Sequence, residues 1–133
     1  MHQRDVPDEV ASAMDGVLGS ADLAVAVVGV SRAEQDAAAD ELTESLAERA
    51  PALVATRVKP DGLTQDAGTV LAVVLGSSSV TALATGLASW LRRRSEFRLV
   101  LKRRRRNGET VEVTLQGRPD EHTERMVTDF LEG

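Results

Sequence analysis

Cysteine and tyrosine are absent from this 133-residue chain, and its other aromatic residues are one tryptophan and two phenylalanines. The lack of cysteine excludes a disulfide framework and a thiolate metal site, and it is typical of a reducing, cytoplasmic location. The scarcity of aromatic rings leaves few stacking platforms for single-stranded nucleic acid. Acidic residues occur early in the chain, without a basic segment followed by an apolar stretch, so we expect no signal peptide.

Residue types that carry chemistry are also sparse. The two histidines, His2 and His122, lie near the N-terminus and among acidic residues, without further ligands at metal-binding spacing. The serines at 77–79 have no histidine or lysine nearby in the sequence to activate them. The glycines are not followed by the Gly-Lys-Ser/Thr sequence that completes a phosphate-binding loop. We therefore predict a non-enzymatic protein with no catalytic residues, no metal site and no cofactor.

Charged residues are missing from Ala67 to Leu91, twenty-five residues in succession. A stretch of this length either spans a bilayer or forms a helix that is buried by protein. Its many small and hydroxylic residues favour the buried helix, and a membrane-associated chain anchored by residues 67–91 is the alternative. We predict a long central helix that begins at Thr64 or Asp66 and ends at the arginines after Leu91, which favour a helix C-terminus.

The remaining elements follow from local patterns. Ser31 and Glu34 form a capping box at the start of a helix that Pro51 ends. Ala38, Leu42 and Leu46 would form the inner face of this helix. Apolar or alternating runs predict four strands, at Leu23–Val30, Leu53–Lys59, Phe97–Arg104 and Thr110–Gln116. A turn at Pro60-Asp61-Gly62 ends the second strand. A last helix is predicted from about Pro119 to Leu131.

The register of the last two strands can be derived from the residues around Asn107 and Gly108. A two-residue turn would place valine and charged side chains opposite each other on one face. A three-residue loop with Gly108 in the left-handed conformation instead pairs Leu101 with Val113 and Leu99 with Leu115. The same register places Lys102 opposite Glu112 and Arg105 opposite Glu109.

The order of these elements predicts an α/β two-layer sandwich with a mixed four-stranded sheet. Right-handed crossovers would make strands one to three parallel and give the spatial order 2-1-3-4, with the fourth strand antiparallel at an edge. Residues 22–133 would form one α/β interaction domain, and residues 1–21 an acidic N-terminal extension that is mobile or a short helix. The long helix, roughly 42 Å at about 1.5 Å per residue, would extend beyond strands of roughly 23 Å. Unless the serines at 77–79 break it, another chain should cover the excess, which predicts a homo-oligomer.

Charge is distributed unevenly along the chain. Residues 1–66 carry thirteen acidic and five basic residues (−8), whereas residues 67–133 carry eight acidic and eleven basic residues (+3). Nine cations lie between Arg92 and Arg106, and no helix-turn-helix or ribonucleoprotein motif accompanies them. We rank an acidic protein partner above an anionic lipid surface and nucleic acid. The partner-binding residues predicted from the small-residue helix surface, its tryptophan and the arginines are Gly76, Ser79, Gly86, Trp90, Arg92, Arg93, Arg94, Arg103, Arg104, Arg105 and Arg106.

Several of these segments together resemble the effector-associated constant component family of actinobacteria. The resemblance covers about residues 22–133 and rests on Leu-Gly-Ser-Ser-Ser at 75–79, Trp-Leu-Arg-Arg-Arg at 90–94 and the strand pair around Asn-Gly-Glu at 107–109. The acidic segment before Ala21 and the very arginine-rich hairpin turn depart from the family pattern.

The resemblance implies a small non-enzymatic α/β module encoded beside an effector, such as a trypsin-like or caspase-like protease, in a system proposed for biological conflict. We therefore predict a cytoplasmic adaptor or regulator of an effector encoded nearby. A membrane-associated component anchored at 67–91 and a basic nucleic-acid-binding protein are the alternatives.

Overall fold

A single antiparallel sheet of five strands organises the part of the chain that the computed structural model describes, namely residues 8–29, 31–58, 69–77 and 79–132. Its elements, in chain order, are α1 (Asp8–Val17), β1 (Leu23–Val28), α2 (Arg32–Arg49), β2 (Val54–Val58), β3 (Thr69–Val74), α3 (Val80–Arg93), β4 (Arg98–Arg104), β5 (Thr110–Gln116) and α4 (Glu121–Glu132).

The strands lie in the order β2-β3-β1-β4-β5, and all neighbouring strands are antiparallel. The succession β1-α2-β2-β3-α3-β4, in which β3 separates β1 from β2, is the split βαβ arrangement of ferredoxin-like folds. The hairpin to β5 adds a fifth strand at the edge beside β4. The predicted sheet of four strands with three parallel members is therefore wrong, because β3 intervenes and β4 runs antiparallel to β1.

The predicted long helix is also wrong. Residues Thr69–Val74 form strand β3 in the interior of the sheet, and α3 has only 14 residues, from Val80 to Arg93. The excess helix length that the sequence predicted therefore does not exist, and the homo-oligomer predicted from it loses this argument but stays a prediction. The predicted turn at residues 60–62 and the predicted helix start at 64 or 66 lie outside the described residues.

Three local features divide the uncharged stretch into a strand and a helix. Strand β3 reads Thr-Val-Leu-Ala-Val-Val, and four of these six residues are β-branched, which favours a pleated strand. Gly76 then adopts a φ of +61°, a conformation that L side chains rarely occupy. Ser79 caps α3, and its hydroxyl accepts a hydrogen bond from the Ala82 amide at 3.0 Å. The chain therefore reverses between β3 and α3 instead of continuing as one helix.

Both faces of the sheet are covered by helices. On one face, α2, α3 and α4 pack on Leu23, Val25, Val27 and the other inward residues of this side. On the opposite face, α1 places Met14, Val17 and Leu18 over Ala24, Ala26, Val70 and Val100. The prediction of a two-layer sandwich therefore missed a third, partial layer, which α1 forms. Residues 8–17 of the predicted N-terminal extension form α1, the short helix that was one of the two expectations for this segment.

The predictions for α2 and for the β4–β5 hairpin are confirmed. Ser31 caps α2 by accepting a hydrogen bond from the Glu34 amide at 3.2 Å, and Ala38, Leu42 and Leu46 are fully buried. Leu101 lies opposite Val113, Leu99 opposite Leu115 and Lys102 opposite Glu112. The Arg105 amide donates to the Glu109 carbonyl at 2.7 Å, and Gly108 has a φ of +88°.

Candidate interaction surface

The turn between β4 and β5 carries three exposed basic residues in succession. Arg104, Arg105 and Arg106 follow one another into the turn and are all exposed, and we call residues 104–108 the hairpin tip. Arg105 lies 3.8 Å from the Glu109 carboxylate. The side chains of Arg104 and Arg106 have no hydrogen bond or ion pair to any described residue. Two guanidinium groups at the tip are thus available to an outside partner.

Arginines at the end of α3 are instead engaged within the chain. Arg92 donates to the Pro119 carbonyl at 2.7 Å and pairs with Glu124, which links α3 to α4. Arg93 donates to the hydroxyls of Ser45 and Ser89, and so joins α3 to α2. These contacts give Arg92 and Arg93 roles in joining the helices of their own chain.

The third arginine of this cluster belongs to an aromatic and acidic group around Trp90. Arg94 lies 3.4 Å from Glu41 and 3.7 Å from Glu96, and its guanidinium is 5.3 Å from the centre of the Phe97 ring. Trp90 has no exposed surface, and its indole N–H donates to Glu41 at 2.8 Å. The structure therefore places the predicted binding tryptophan in the core of its own chain.

Small residues of α3 also serve contacts inside the chain. Gly86 faces α2, where an added Cβ would lie 2.8 Å from the Leu46 Cδ2 atom. An added Cβ on Gly76 would lie 2.7 Å from the Ala52 carbonyl oxygen, so the loop after β3 closely approaches the segment before β2. The partner-binding roles predicted for Gly76, Ser79, Gly86 and Trp90 stay predictions, and the structure gives each a contact within the chain.

The nine cations that are close in sequence are separated in space by strand β4. The end of α3 lies beside the start of β4, whereas the hairpin tip follows the end of β4. Between them, Lys102 is buried under α1, where its ammonium lies 2.7 Å from the Asp15 carboxylate. Arg103 donates to the Phe130 carbonyl at 3.0 Å, near the end of α4. Of these nine cations, Arg104 and Arg106 are therefore the exposed ones without a partner among the described residues, and the partner-binding roles predicted for the other arginines stay predictions.

A cleft of about 410 Å³ lies at the same end of the sheet as the tip. Its walls are apolar at Ala21, Leu23, Leu75 and Leu131, and basic at Arg103 and Arg104; Asp22 and Gly76 complete the lining. Asp22 is held there because its carboxylate accepts a hydrogen bond from the Leu75 amide at 2.9 Å. The tip and cleft together offer guanidinium groups beside a small apolar hollow.

The residues that could serve in acid–base or metal chemistry have structural roles or lie exposed at the surface. Asp120 accepts hydrogen bonds from the amide and the hydroxyl of Thr123, and the amide hydrogen bond is the main cause that lowers the pKa of Asp120. His122, in the first turn of α4, is exposed and also acts on Asp120 through its charge. Among the described residues, no three acidic or histidine side chains are grouped so that they could hold a metal ion. In the described part of the chain, no helix combines the length and apolar character needed to cross a bilayer.

The sequence did not reveal the polar contacts between elements. Asp36 of α2 accepts a hydrogen bond from the Thr69 hydroxyl at 2.6 Å, and Arg57 of β2 lies 3.5 Å from Asp40. The contact between Lys102 and Asp15 joins α1 to the sheet. Alternation in β4 places Lys102 on the same face as the buried Val100, which was the one sequence signal for a covered lysine.

Comparisons with known proteins confirm the family that the sequence resembles. No curated protein and no solved structure matches the chain. The model of the family described as Effector Associated Constant Component 1 matches residues 32–131, which include α2, the whole hairpin and all but the last residue of α4. On this match, the chain belongs to the Effector Associated Constant Component 1 family.

Proposed function

We propose that this chain is a non-enzymatic adaptor that binds a separately encoded effector protein through the hairpin tip. The observation that carries the proposal is the pair of exposed guanidinium groups on Arg104 and Arg106, which have no partner among the described residues. The family description, an effector-associated component, supports an effector as the partner.

The geometry favours an acidic protein surface with a projecting apolar side chain. Guanidinium groups form charge-assisted hydrogen bonds with carboxylates. The cleft beside the tip has apolar walls at Leu75 and Leu131, and Arg103 and Arg104 lie at the same cleft. A carboxylate bound at the tip would therefore lie close to an apolar side chain inserted in the cleft. A contact through a long central helix is not part of this proposal, because residues Thr69–Val74 form strand β3.

Co-expression with the proteins encoded beside its gene tests the proposal. We expect one of them to co-purify with the chain, and the double variant Arg104→Glu and Arg106→Glu to lose most of this partner. Reversed charges at an interface add like-charge repulsion and slow association, so we expect at least about tenfold weaker binding.

A matched control exists at the opposite end of the sheet. Arg32 and Arg118 are also exposed and have no hydrogen bond or ion pair to any described residue. Their double replacement by Glu changes the net charge equally but leaves the tip intact, so it should retain the partner. Equal loss in both double variants would indicate unspecific charge attraction and would contradict a contact at the tip.

A further inference from the structure

Strand β5 is an edge strand with few of the features that protect such edges. It has seven residues, Thr-Val-Glu-Val-Thr-Leu-Gln, and Glu112 is its one charged residue. It contains no proline, glycine or lysine, and four of its residues are β-branched. Edge strands of natural proteins usually carry such interruptions, because a regular unpaired edge is a template for another strand. The other edge strand, β2, has five residues, and its Arg57 is paired with acidic residues of α2.

The hairpin register determines which backbone groups of β5 point outward. Opposite residues of an antiparallel pair alternate between hydrogen-bonded and non-hydrogen-bonded pairs. The Arg105 amide donates to the Glu109 carbonyl, so the pairs at Val111, Val113 and Leu115 are hydrogen-bonded to β4. The amides and carbonyls of the alternate residues therefore point away from β4, and these residues are Thr110, Glu112, Thr114 and Gln116.

We propose that β5 pairs with β5 of a second copy of this chain, antiparallel and about a two-fold axis at Val113, to form a continuous ten-stranded sheet. This register places Thr110 opposite Gln116 and Glu112 opposite Thr114 of the other copy. All four outward residues of each strand then fall in hydrogen-bonded pairs. Four such pairs with two bonds each give about eight bonds between the copies.

The side chains fit the same register. On the face that carries α4, Val111 would lie opposite Leu115, and the two Val113 residues would meet at the axis. Val111 and Val113 are half-buried in the single chain, so a neighbouring strand would cover the valine surface that remains exposed. On the other face, polar residues oppose polar residues, and Glu112 meets a threonine rather than another charge. Each copy would keep its hairpin tip at one end of the joined sheet.

Cysteine cross-linking tests this register, because the natural chain contains no cysteine. Residues at a non-hydrogen-bonded pair have Cα atoms about 4.5 Å apart, a distance at which a disulfide forms. The variant Val113→Cys should therefore give a disulfide-linked dimer under mild oxidation. The matched control is Val111→Cys, half-buried on the same face, whose copies would be offset by roughly 13 Å along the strands and should not link.

A backbone variant tests the hydrogen bonds themselves. Thr114→Pro removes an outward amide and leaves the bonds to β4, whereas Thr114→Ala keeps this amide. The parent and the alanine variant should have twice the chain mass of 14.2 kDa in light scattering, and the proline variant should dissociate at least about tenfold more readily. A parent that stays a single chain at the highest soluble concentration would overturn the proposal. An acidic segment of another protein would then be the next candidate to test as the strand that pairs with β5. Equal linking of both cysteine variants would also overturn it. Because these measurements contain no effector, their outcome is separate from that of the proposed adaptor function.

Discussion

At the scale of single residues, Lys102 shows how a charged side chain can be stable beneath a helix. Its side chain is 9% exposed, while that of Asp15, its partner on α1, is 56% exposed. The lysine side chain is thus largely shielded from water, whereas the carboxylate is in contact with it. Removal of one partner from such a pair has unequal effects, because only the lysine would be left buried and unpaired.

We predict that Asp15→Ala destabilises the fold more than Lys102→Met. The alanine variant leaves a buried ammonium without its partner, which we expect to cost about 1–3 kcal/mol. Methionine keeps an unbranched apolar side chain in place and leaves only an exposed carboxylate, so the variant should stay within about 1 kcal/mol of the parent. Urea unfolding of both variants measures the difference. The opposite order would show that the contact between α1 and the sheet does not depend on this pair.

At the scale of elements, the turn between β3 and α3 ends an interior strand and allows a separate helix to follow. A continuous helix here would remove a strand from the interior of the sheet. Gly76 permits the reversal through its positive φ and through the absence of a Cβ, since an added Cβ would lie 2.7 Å from the Ala52 carbonyl oxygen. Gly108 of the hairpin also has a positive φ, but an added Cβ would meet no atom within 4 Å.

This contrast predicts different effects of alanine at the two glycines. Gly108→Ala should cost roughly 1–2 kcal/mol, the strain of an L residue in the left-handed region. Gly76→Ala has the same strain and in addition overlaps a backbone atom, so it should cost at least about 1 kcal/mol more. Thermal or urea unfolding checks the ranking. Equal losses at the two sites would mean that the close approach to Ala52 is easily relaxed.

The same elements show which parts of the fold the sequence could predict. The capping box at Ser31, the inner face of α2 and the hairpin register all depend on neighbouring residues, and all are confirmed. Strand β3 was missed because Thr69–Val74 is covered on both faces, and such a strand is as uniformly apolar as a buried helix. Four of its six residues are β-branched, and this was the signal that could have separated the two.

The surroundings of the predicted site residues could be predicted only in part, for a similar reason. Sequence proximity grouped nine cations, but a strand separates the two ends of the group in space. Arg92 and Arg93 meet acceptors on α4 and α2, and these elements are distant in the sequence. The exposed arginines of the tip were predictable because a hairpin turn is exposed by its local geometry. Contacts between distant elements require the tertiary arrangement, which composition and spacing do not give.

At the scale of the whole molecule, the net charge of −5 and the basic tip favour different partners. The overall charge repels nucleic acid, while the tip attracts any polyanion at short range. Screening acts over about 8 Å at physiological ionic strength, so only contacts close to the tip persist there. An acidic protein can complement both the tip and the adjacent cleft, whereas a nucleic acid would use the arginines alone.

The most direct test of an adaptor that recognises protein is a comparison of its affinities at about 150 mM salt, where screening acts over about 8 Å. Calorimetry would measure the binding of the parent chain and the Arg104→Glu, Arg106→Glu variant to the co-purifying effector and to double-stranded and single-stranded nucleic acid. We predict that the parent binds the effector far more tightly than either nucleic acid, and that the variant loses at least about tenfold in effector affinity. Sub-micromolar, sequence-dependent binding of the parent to nucleic acid, with effector affinity unchanged in the variant, would contradict the account.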